Sequence, residues 1–290
     1  MIDKLVGLYA FIVGAAVGSF LNVCVARWPR DLSITRPRSK CPKCGHQLSW
    51  YENIPLVSWL ALRARCRCCD EVISIQYPIV ELVVAIGWML AFNHYGLSFT
   101  ALRVAMFGTI LFGIALTDLQ HYVIPDGFTV FGLFWVLVTS VVGLFVADQG
   151  QALFVGDQAP FVGPYNAVIG ACAGAGFIAI VGWLGEAALK REAMGMGDVT
   201  LMAFAGAALG PSRAVIAVFL GALLGAVTFL AVVYPVARVR QSAYREQTEL
   251  ALGGTHSFEA PLVPFGVFLA PAALVTLLWG DALLARLVRG

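Results

Sequence analysis

Charged side chains are scarce in this sequence: Asp, Glu, Lys and Arg together make up 12% of its 290 residues. Soluble globular domains carry roughly 25% charged residues, so the scarcity excludes that class. The net charge of +2 is also too small to indicate a nucleic-acid partner. Apolar residues fill 60% of the chain, and the mean hydropathy is +0.83. This composition is typical of a polytopic integral membrane protein.

The start of the sequence does not have the pattern of a cleavable signal peptide either. The first apolar stretch runs from about residue 5 to 26, which is longer than the core of a signal peptide, and no small-residue cleavage site follows it. We therefore expect residues 1–26 to remain as the first transmembrane helix.

Long apolar stretches recur along the rest of the chain. A hydrocarbon core about 30 Å thick needs roughly 20 apolar residues of helix. The sequence predicts an all-α protein in the lipid bilayer with about eight transmembrane helices, of which the sixth is short. Their approximate bounds are 5–26, 78–97, 101–117, 124–147, 164–186, 198–211, 213–237 and 261–280.

Two stretches are too polar for lipid. Residues 27–76 are rich in cysteine and long enough for a small metal-stapled module, whereas 238–260, with the pair Gly253-Gly254, is typical of a flexible connection.

The distribution of Lys and Arg predicts the orientation, because both prefer the cytoplasmic side. Segment 27–76 holds nine of them, so we place it in the cytoplasm and the amino terminus outside. Counting eight spans brings Lys190, Arg191 and the three arginines of 238–260 to the same side. The opposite loop, 148–163, has no Lys or Arg, which agrees with eight spans.

Two aspartates lie where predicted spans meet the cytoplasm. Asp118 ends the third span in TDLQHYVIPD, and Asp198 opens the sixth in GMGDV. Carboxylates at membrane depth cost a few kcal/mol, so two on one face indicate a shared function. Neighbouring aspartates that share one proton can activate water and protonate a leaving nitrogen, which is aspartic-protease chemistry.

Gly195 and Gly197 precede the second aspartate and fit such a site. Glycine accepts backbone angles denied to other residues and lets an extended substrate approach closely, so we predict that both contact substrate. On spacing alone an alternative stays open, in which Asp198 is an acid favoured by the helix dipole and Asp118 is a polar residue at a helix end.

Several other residues are interpreted as structural. Asp126 follows Pro125, and Glu81 lies in the first turn after Pro78, where the helix dipole favours an acid. Glycines four residues apart predict close helix packing, at Gly170 and Gly174, Gly206 and Gly210, and Gly221 and Gly225.

The cysteines of segment 27–76 form two CxxC pairs, Cys41 with Cys44 and Cys66 with Cys69. Each short loop bends two sulfurs towards one tetrahedral ion about 2.3 Å away, so two pairs predict a four-thiolate Zn²⁺ site. Such a closed site is structural, because no ligand position is left for chemistry.

Alternatives to this zinc site remain. A cytoplasmic position disfavours disulfides, and iron stays open on ligand type alone. Cys68 could replace Cys66 or Cys69, and His46 could serve as a substitute ligand.

Taken together, six motifs resemble the bifunctional type IV prepilin peptidases, which are membrane aspartic proteases of the GxGD type. GxGD alone is weak, but the ordered set is highly specific. It comprises GSFLNVCVARWP at 18–29, CPKCGHQLSWYENIPLVSWLALRARCRCC at 41–69, YPIVEL at 77–82, TDLQHYVIPD at 117–126, GMGDV at 195–199 and PFGVFLAP at 264–271.

The resemblance implies a specific reaction. Asp118 and Asp198 would be the catalytic pair, acting on a prepilin or pseudopilin with a short basic leader. Cleavage would follow a glycine on the cytoplasmic side of the substrate's hydrophobic helix. The enzyme would then methylate the new amino terminus with S-adenosylmethionine, in a bacterial inner membrane. Residues 27–76 would be associated with methyl transfer and 77–290 would form the peptidase domain.

One departure and two alternatives accompany this resemblance. Family members often have glycine two residues before the third cysteine, where this chain has Ala64; a peptidase without methyltransferase activity is therefore one alternative. The other is a proton-coupled transporter with a regulatory zinc loop, since intramembrane acids are common in transporters. The methyl-donor residues are not predicted, beyond GSFLN and the cysteine segment as their neighbourhood by resemblance.

Overall fold

A computed structural model describes residues 2–146, 160–190, 194–236 and 263–289. Within these ranges the regular structure is helical, apart from isolated β-bridges, two of which lie in segment 27–76. Arg191, most of the 148–163 loop and the whole of the 238–260 connection lie outside the described residues.

Nine α-helices lie within the described ranges, apart from a short helical stretch at 234–236. They are α1 Ile2–Arg27, α2 Val57–Ala61, α3 Gln76–Tyr95, α4 Phe99–His121, α5 Asp126–Val146, α6 Pro164–Leu189, α7 Met196–Leu209, α8 Pro211–Thr228 and α9 Gly266–Arg289. A π-helical turn, Phe229–Val233, follows α8, and 3₁₀ turns lie at Trp28–Arg30 and Trp50–Asn53.

The helix lengths confirm an all-helical membrane protein. Among the described residues, seven helices are long and apolar enough to cross a bilayer, namely α1, α3, α4, α5, α6, α8 with its extension, and α9. The predicted sixth span, α7, has only 14 residues, about 21 Å at 1.5 Å per residue, so it is the short one as expected.

Helix α7 occupies the middle of the bundle, which explains how it tolerates being short. It packs against α5, α6, α8 and α9, and its side chains from Leu201 to Leu209 are almost all fully buried. The Phe204 ring lies 5.0 Å from that of Phe107 on α4. A helix covered by protein on every side does not need to match the thickness of the bilayer.

Paired glycines bring α7 against α6. A Cβ atom built on Gly170 would overlap the Gly206 carbonyl oxygen, and one on Gly206 would overlap the Gly170 carbonyl. On α8, a Cβ at Gly221 would lie 2.9 Å from Leu269 of α9. The close packing predicted from small-residue spacing is therefore confirmed at these positions.

The ends of four helices meet at one end of the bundle. The Trp28 ring, just after α1, packs edge-on against Phe128 at the start of α5, with ring centroids 4.4 Å apart. Ile124, between α4 and α5, contacts Gly197 at the start of α7. Since α1 and α3 are joined by segment 27–76, this end also carries the cysteines.

Candidate active site and cysteine cluster

Asp118 lies in the last turn of α4 and is buried, with 5% of the residue exposed. Helix α4 ends at His121, and the next residue, Tyr122, is left-handed and donates its backbone N–H to the Asp118 carbonyl oxygen at 2.9 Å. The Asp118 carboxylate leaves its own helix and accepts a hydrogen bond from the backbone N–H of Val267, with Oδ2 and N 3.2 Å apart. The first turn of α9 therefore holds this carboxylate in place.

Asp198 lies in the first turn of α7 and is also buried, with 9% exposed. Its backbone N–H donates to the Gly195 carbonyl oxygen at 3.2 Å. Ile124 lies beside both acids, because a Cβ built on Gly197, next to Asp198, and one built on Gly266, which contacts Asp118 Oδ2, would each come within 2.9 Å of it. The structure thus brings together two acids 80 residues apart in sequence.

The two glycines before Asp198 have different surroundings. Gly195 is extended, with φ −80° and ψ 154°, and a Cβ built on it would meet nothing closer than the Gly197 nitrogen at 3.9 Å and Asp198 Oδ2 at 4.0 Å. At Gly197 a Cβ would lie 2.9 Å from Ile124 Cβ. Neither glycine has positive φ, so the expectation of special backbone angles is wrong. Gly195 leaves open space beside the acid, and Gly197 permits close packing.

Three residues at this site escaped sequence reasoning: Ile124, Gly266 and Val267. A Cβ on Gly266 would lie 2.8 Å from Asp118 Oδ2 and 2.9 Å from Ile124 Cδ1. The last span was predicted from residue 261, but α9 begins at Gly266, which leaves the first-turn N–H groups free for the carboxylate. The sequence feature that could have pointed to this contact is the start of a helix, because the first N–H groups of every helix are unpaired. The sequence does not indicate which acid accepts a hydrogen bond from them.

The four predicted cysteines converge. Their sulfur atoms all lie within 4.8 Å of one another, with 3.8 Å between Cys41 and Cys69 and 3.9 Å between Cys44 and Cys66. Four sulfurs at 2.3 Å from a tetrahedral ion would be about 3.8 Å apart, so the cluster fits a metal ion.

The two CxxC turns have the same local structure. Gly45 and Asp70 each follow the second cysteine of a pair and are left-handed, with φ of 72° and 54°. Their N–H groups donate to the carbonyl oxygens of Cys41 and Cys66, at 3.0 Å in both turns. The cluster is therefore built from two similar turns placed face to face.

The alternative ligands lie elsewhere. Cys68 is exposed and outside the cluster. The Nε2 atom of His46 lies 3.2 Å from Oε2 of the buried Glu52, and the Ser49 N–H donates to that same oxygen, which lowers the pKa of Glu52. All seven cysteines lie within the described ranges and are free thiols there.

Glu81 connects the cysteine segment to the membrane helices. This buried residue of α3 accepts a hydrogen bond from the backbone N–H of Leu56 on its Oε2, at 2.8 Å. On the neighbouring helix, Asn22 Nδ2 donates to the Tyr77 carbonyl oxygen at 3.1 Å, and a Cβ on Gly18 would lie 2.8 Å from Glu81 Cα. Glu81 thus has the structural role predicted for it, through a hydrogen bond that the helix dipole did not indicate.

Comparison with known proteins gives two matches to family models. Residues 12–95 match the bacterial peptidase A24 N-terminal domain, and residues 105–230 match the type IV leader peptidase family. No solved structure matches the chain significantly.

Three curated relatives, each called prepilin leader peptidase/N-methyltransferase, are similar to this chain over most of its length. The protein of Myxococcus xanthus is 39% identical over 78% of this chain and 64% of its own length, so the chain spans less than two thirds of that relative. The protein of Stutzerimonas stutzeri is 32% identical over 96% of this chain and 92% of its own length. The protein of Pseudomonas aeruginosa is 32% identical over 94% of this chain and 90% of its own length.

Proposed function

Because this chain belongs to the type IV leader peptidase family, we propose that it is a membrane prepilin peptidase that also methylates the amino terminus it exposes. The observation that carries the peptidase half is the pair of buried carboxylates, Asp118 and Asp198, at one end of the helix bundle. Its substrates are prepilins and pseudopilins with a short basic leader, cut after a glycine.

The two carboxylates act as a dyad that shares one proton. The unprotonated carboxylate takes a proton from a water molecule held between the two acids as that water attacks the carbonyl carbon of the leader glycine. The protonated acid then donates its proton to the amide nitrogen, and the C–N bond breaks to release the amine. The N–H of Val267 keeps one oxygen of Asp118 in position. The open space at Gly195 admits the extended scissile segment beside Asp198, and Gly197 lets that turn lie close to Ile124.

The site faces the cytoplasm of a bacterium, and the protein lies in the inner membrane with its amino terminus outside. Support for this orientation comes from the nine Lys and Arg residues of segment 27–76, which extends from the same end of the bundle as the two aspartates. A leader that never crosses the membrane would be found on that side. The acids lie at a bundle end and not midway along the helices, which gives the transporter alternative no support.

A zinc ion bound by Cys41, Cys44, Cys66 and Cys69 stabilises segment 27–76, a module associated with methyl transfer, while residues 77–290 form the peptidase domain. The donor set of four thiolates suits Zn²⁺. Bound S-adenosylmethionine supplies the methyl group that the new amino terminus accepts. Gly18 and Asn22 of the GSFLN motif lie at contacts between α1 and α3.

Ala64 does not disturb the module's backbone. It adopts φ 58°, a conformation that suits glycine, and its carbonyl oxygen accepts from the Ile73 N–H at 2.7 Å. The turn is thus formed with alanine in place, which supports retention of methyltransferase activity. Mass spectrometry of the processed substrate tests this: a mass increase of one methyl group is expected, whereas an unmethylated product would favour the peptidase-only alternative.

Cleavage of a purified prepilin tests the dyad. Asp118→Asn and Asp198→Asn should each lower kcat at least about a hundredfold, without changing the melting temperature by more than a few degrees. Asp126→Asn is the matched control, since Asp126 is exposed at the start of α5, and it should cleave normally. Wild-type rates for both asparagine variants would refute the proposal.

A further inference from the structure

An apolar groove of about 450 Å³ runs between α3, α4 and α9. Its lining includes Gly87, Trp88, Gly108, Thr109, Leu274 and Trp279. Trp88 Nε1 donates to Thr109 Oγ1 at 3.0 Å, and this hydroxyl donates in turn to the Ala105 carbonyl oxygen at 2.7 Å. The Trp88 ring nitrogen and the Thr109 hydroxyl are therefore both hydrogen-bonded, and most of the other lining residues are apolar.

The two glycines of the groove differ from those that pack helices. A Cβ on Gly87 of α3 would meet no atom within 4 Å, and one on Gly108 of α4 would meet only Leu274 Cδ1, at 3.8 Å. At Gly170 and Gly206, by contrast, a Cβ would overlap backbone of the facing helix. The groove glycines leave space that no described part of this chain fills.

The groove lies along the two helices that position Asp118, farther along each helix than the candidate active site. From Asp118 back along α4, the groove residues begin at Phe112 and end at Val104, distances of about 9 Å and about 21 Å at 1.5 Å per residue. On α9, Leu274 lies about 10 Å from Val267, the residue that binds the Asp118 carboxylate. The same two helices therefore hold the acid and form two walls of the groove.

We propose that this groove seats the substrate's own apolar helix, a proposal that rests on the function proposed above. We place the scissile bond of the substrate at Asp118 and let the substrate continue from there as a helix along α4. At 1.5 Å per residue, roughly the sixth to fourteenth residues after the cleavage site then lie beside the groove. Since an α-helix is about 10 Å wide with its side chains, a space of 450 Å³ takes the large apolar side chains of one helix face. Gly87 and Gly108 allow that face to approach closely.

Cleavage of two prepilins by purified enzyme in proteoliposomes tests the groove. One substrate is native, and in the other the large apolar residues at positions 6–14 after the cleavage site are alanine. Gly108→Leu fills the groove, so the KM for the native substrate should rise at least about tenfold with kcat little changed, as expected for lost binding. The alanine substrate should recover most of this loss, because its smaller side chains leave room for the leucine.

Gly176→Leu is the matched control. Gly176 lies on α6, has no atom within 4 Å of a built Cβ and does not line the groove, so its KM should equal that of the wild type for both substrates. An unchanged KM in Gly108→Leu would overturn the proposal and leave a lipid chain as the occupant. Equal losses for both substrates would overturn it as well, since they would indicate distortion of the active site.

Gly87→Leu repeats the test from the other wall, should Gly108→Leu lose its melting transition.

A photocrosslinking residue at substrate position 10, bound to the Asp198→Asn enzyme, provides a test without any groove substitution. Crosslinks should map to residues 83–95, 104–112 or 274–279, which line the groove on α3, α4 and α9, and a map confined to other helices would refute the groove. If the wild-type enzyme cleaves no prepilin, both the proposed function and the proposed role of the groove are overturned. If it cleaves normally but the KM values or the crosslinks contradict the groove, only the role of the groove is overturned.

Discussion

The Asp118 carboxylate is held by a backbone N–H from a residue 149 positions later, that of Val267, with 3.2 Å between oxygen and nitrogen. A backbone donor cannot rotate away as a side chain can, so the position of this acid depends on where α9 begins. Gly266 lies against the same oxygen. The start of α9 is therefore part of the site, although it contributes no titratable group.

Gly266→Ala is expected to impair cleavage, because the added Cβ would lie 2.8 Å from Asp118 Oδ2 and displace the carboxylate. Misplacing a reacting group by about 1 Å costs roughly a hundredfold in rate, so kcat should fall between about tenfold and a hundredfold. Steady-state cleavage of prepilin measures this, with Gly176→Ala as the control that keeps normal activity. Normal kcat in Gly266→Ala would show that the carboxylate is not confined there.

Ala64→Gly is expected to stabilise the cysteine module. Ala64 has φ 58°, a left-handed conformation that costs an L-residue about 1 kcal/mol and costs glycine almost nothing. The rate at which a chelator removes the bound metal should fall severalfold. Ala61→Gly, in helix α2, is the control with the opposite expected sign, since glycine destabilises helices. Faster metal loss from Ala64→Gly would contradict the argument.

Substitution of single cysteines should separate the cluster from its neighbour in sequence. Cys41→Ser removes one of four converging sulfurs and should reduce the metal content from about one ion per chain to near zero. Cys68→Ser, at an exposed position outside the cluster, should leave it unchanged. Metal analysis of the purified proteins decides this, and equal metal contents in the two variants would rule out the assigned ligand set.

Gly206→Ala should destabilise the helix bundle, because its Cβ would overlap the Gly170 carbonyl oxygen across the contact between α6 and α7. Overpacking of this kind costs about 1 to 3 kcal/mol. The melting temperature in detergent should drop by several degrees, whereas Gly176→Ala, with open space around it, should change it little. A melting temperature equal to that of the wild type would mean that the two helices separate at small cost.

The membrane fold could be predicted from the sequence because its determinants are local. A run of about 20 apolar residues is long enough to cross a bilayer, so the spans follow from composition and length. Cys41 and Cys44 are brought together by the two residues between them, and the same holds for Cys66 and Cys69. Asp118 and Asp198 lie where apolar stretches end or begin, which placed both at one end of the bundle.

Tertiary structure alone decided which distant groups meet. Sequence left Cys68 and His46 as possible ligands, and only the folded module shows Cys66 and Cys69 facing Cys41. The N–H of Val267 could serve any acid until the packing of α4 against α9 assigned it to Asp118. These contacts join residues far apart in the chain, and their distances depend on how whole helices pack together. The short-range periodicity of the sequence therefore does not predict these contacts.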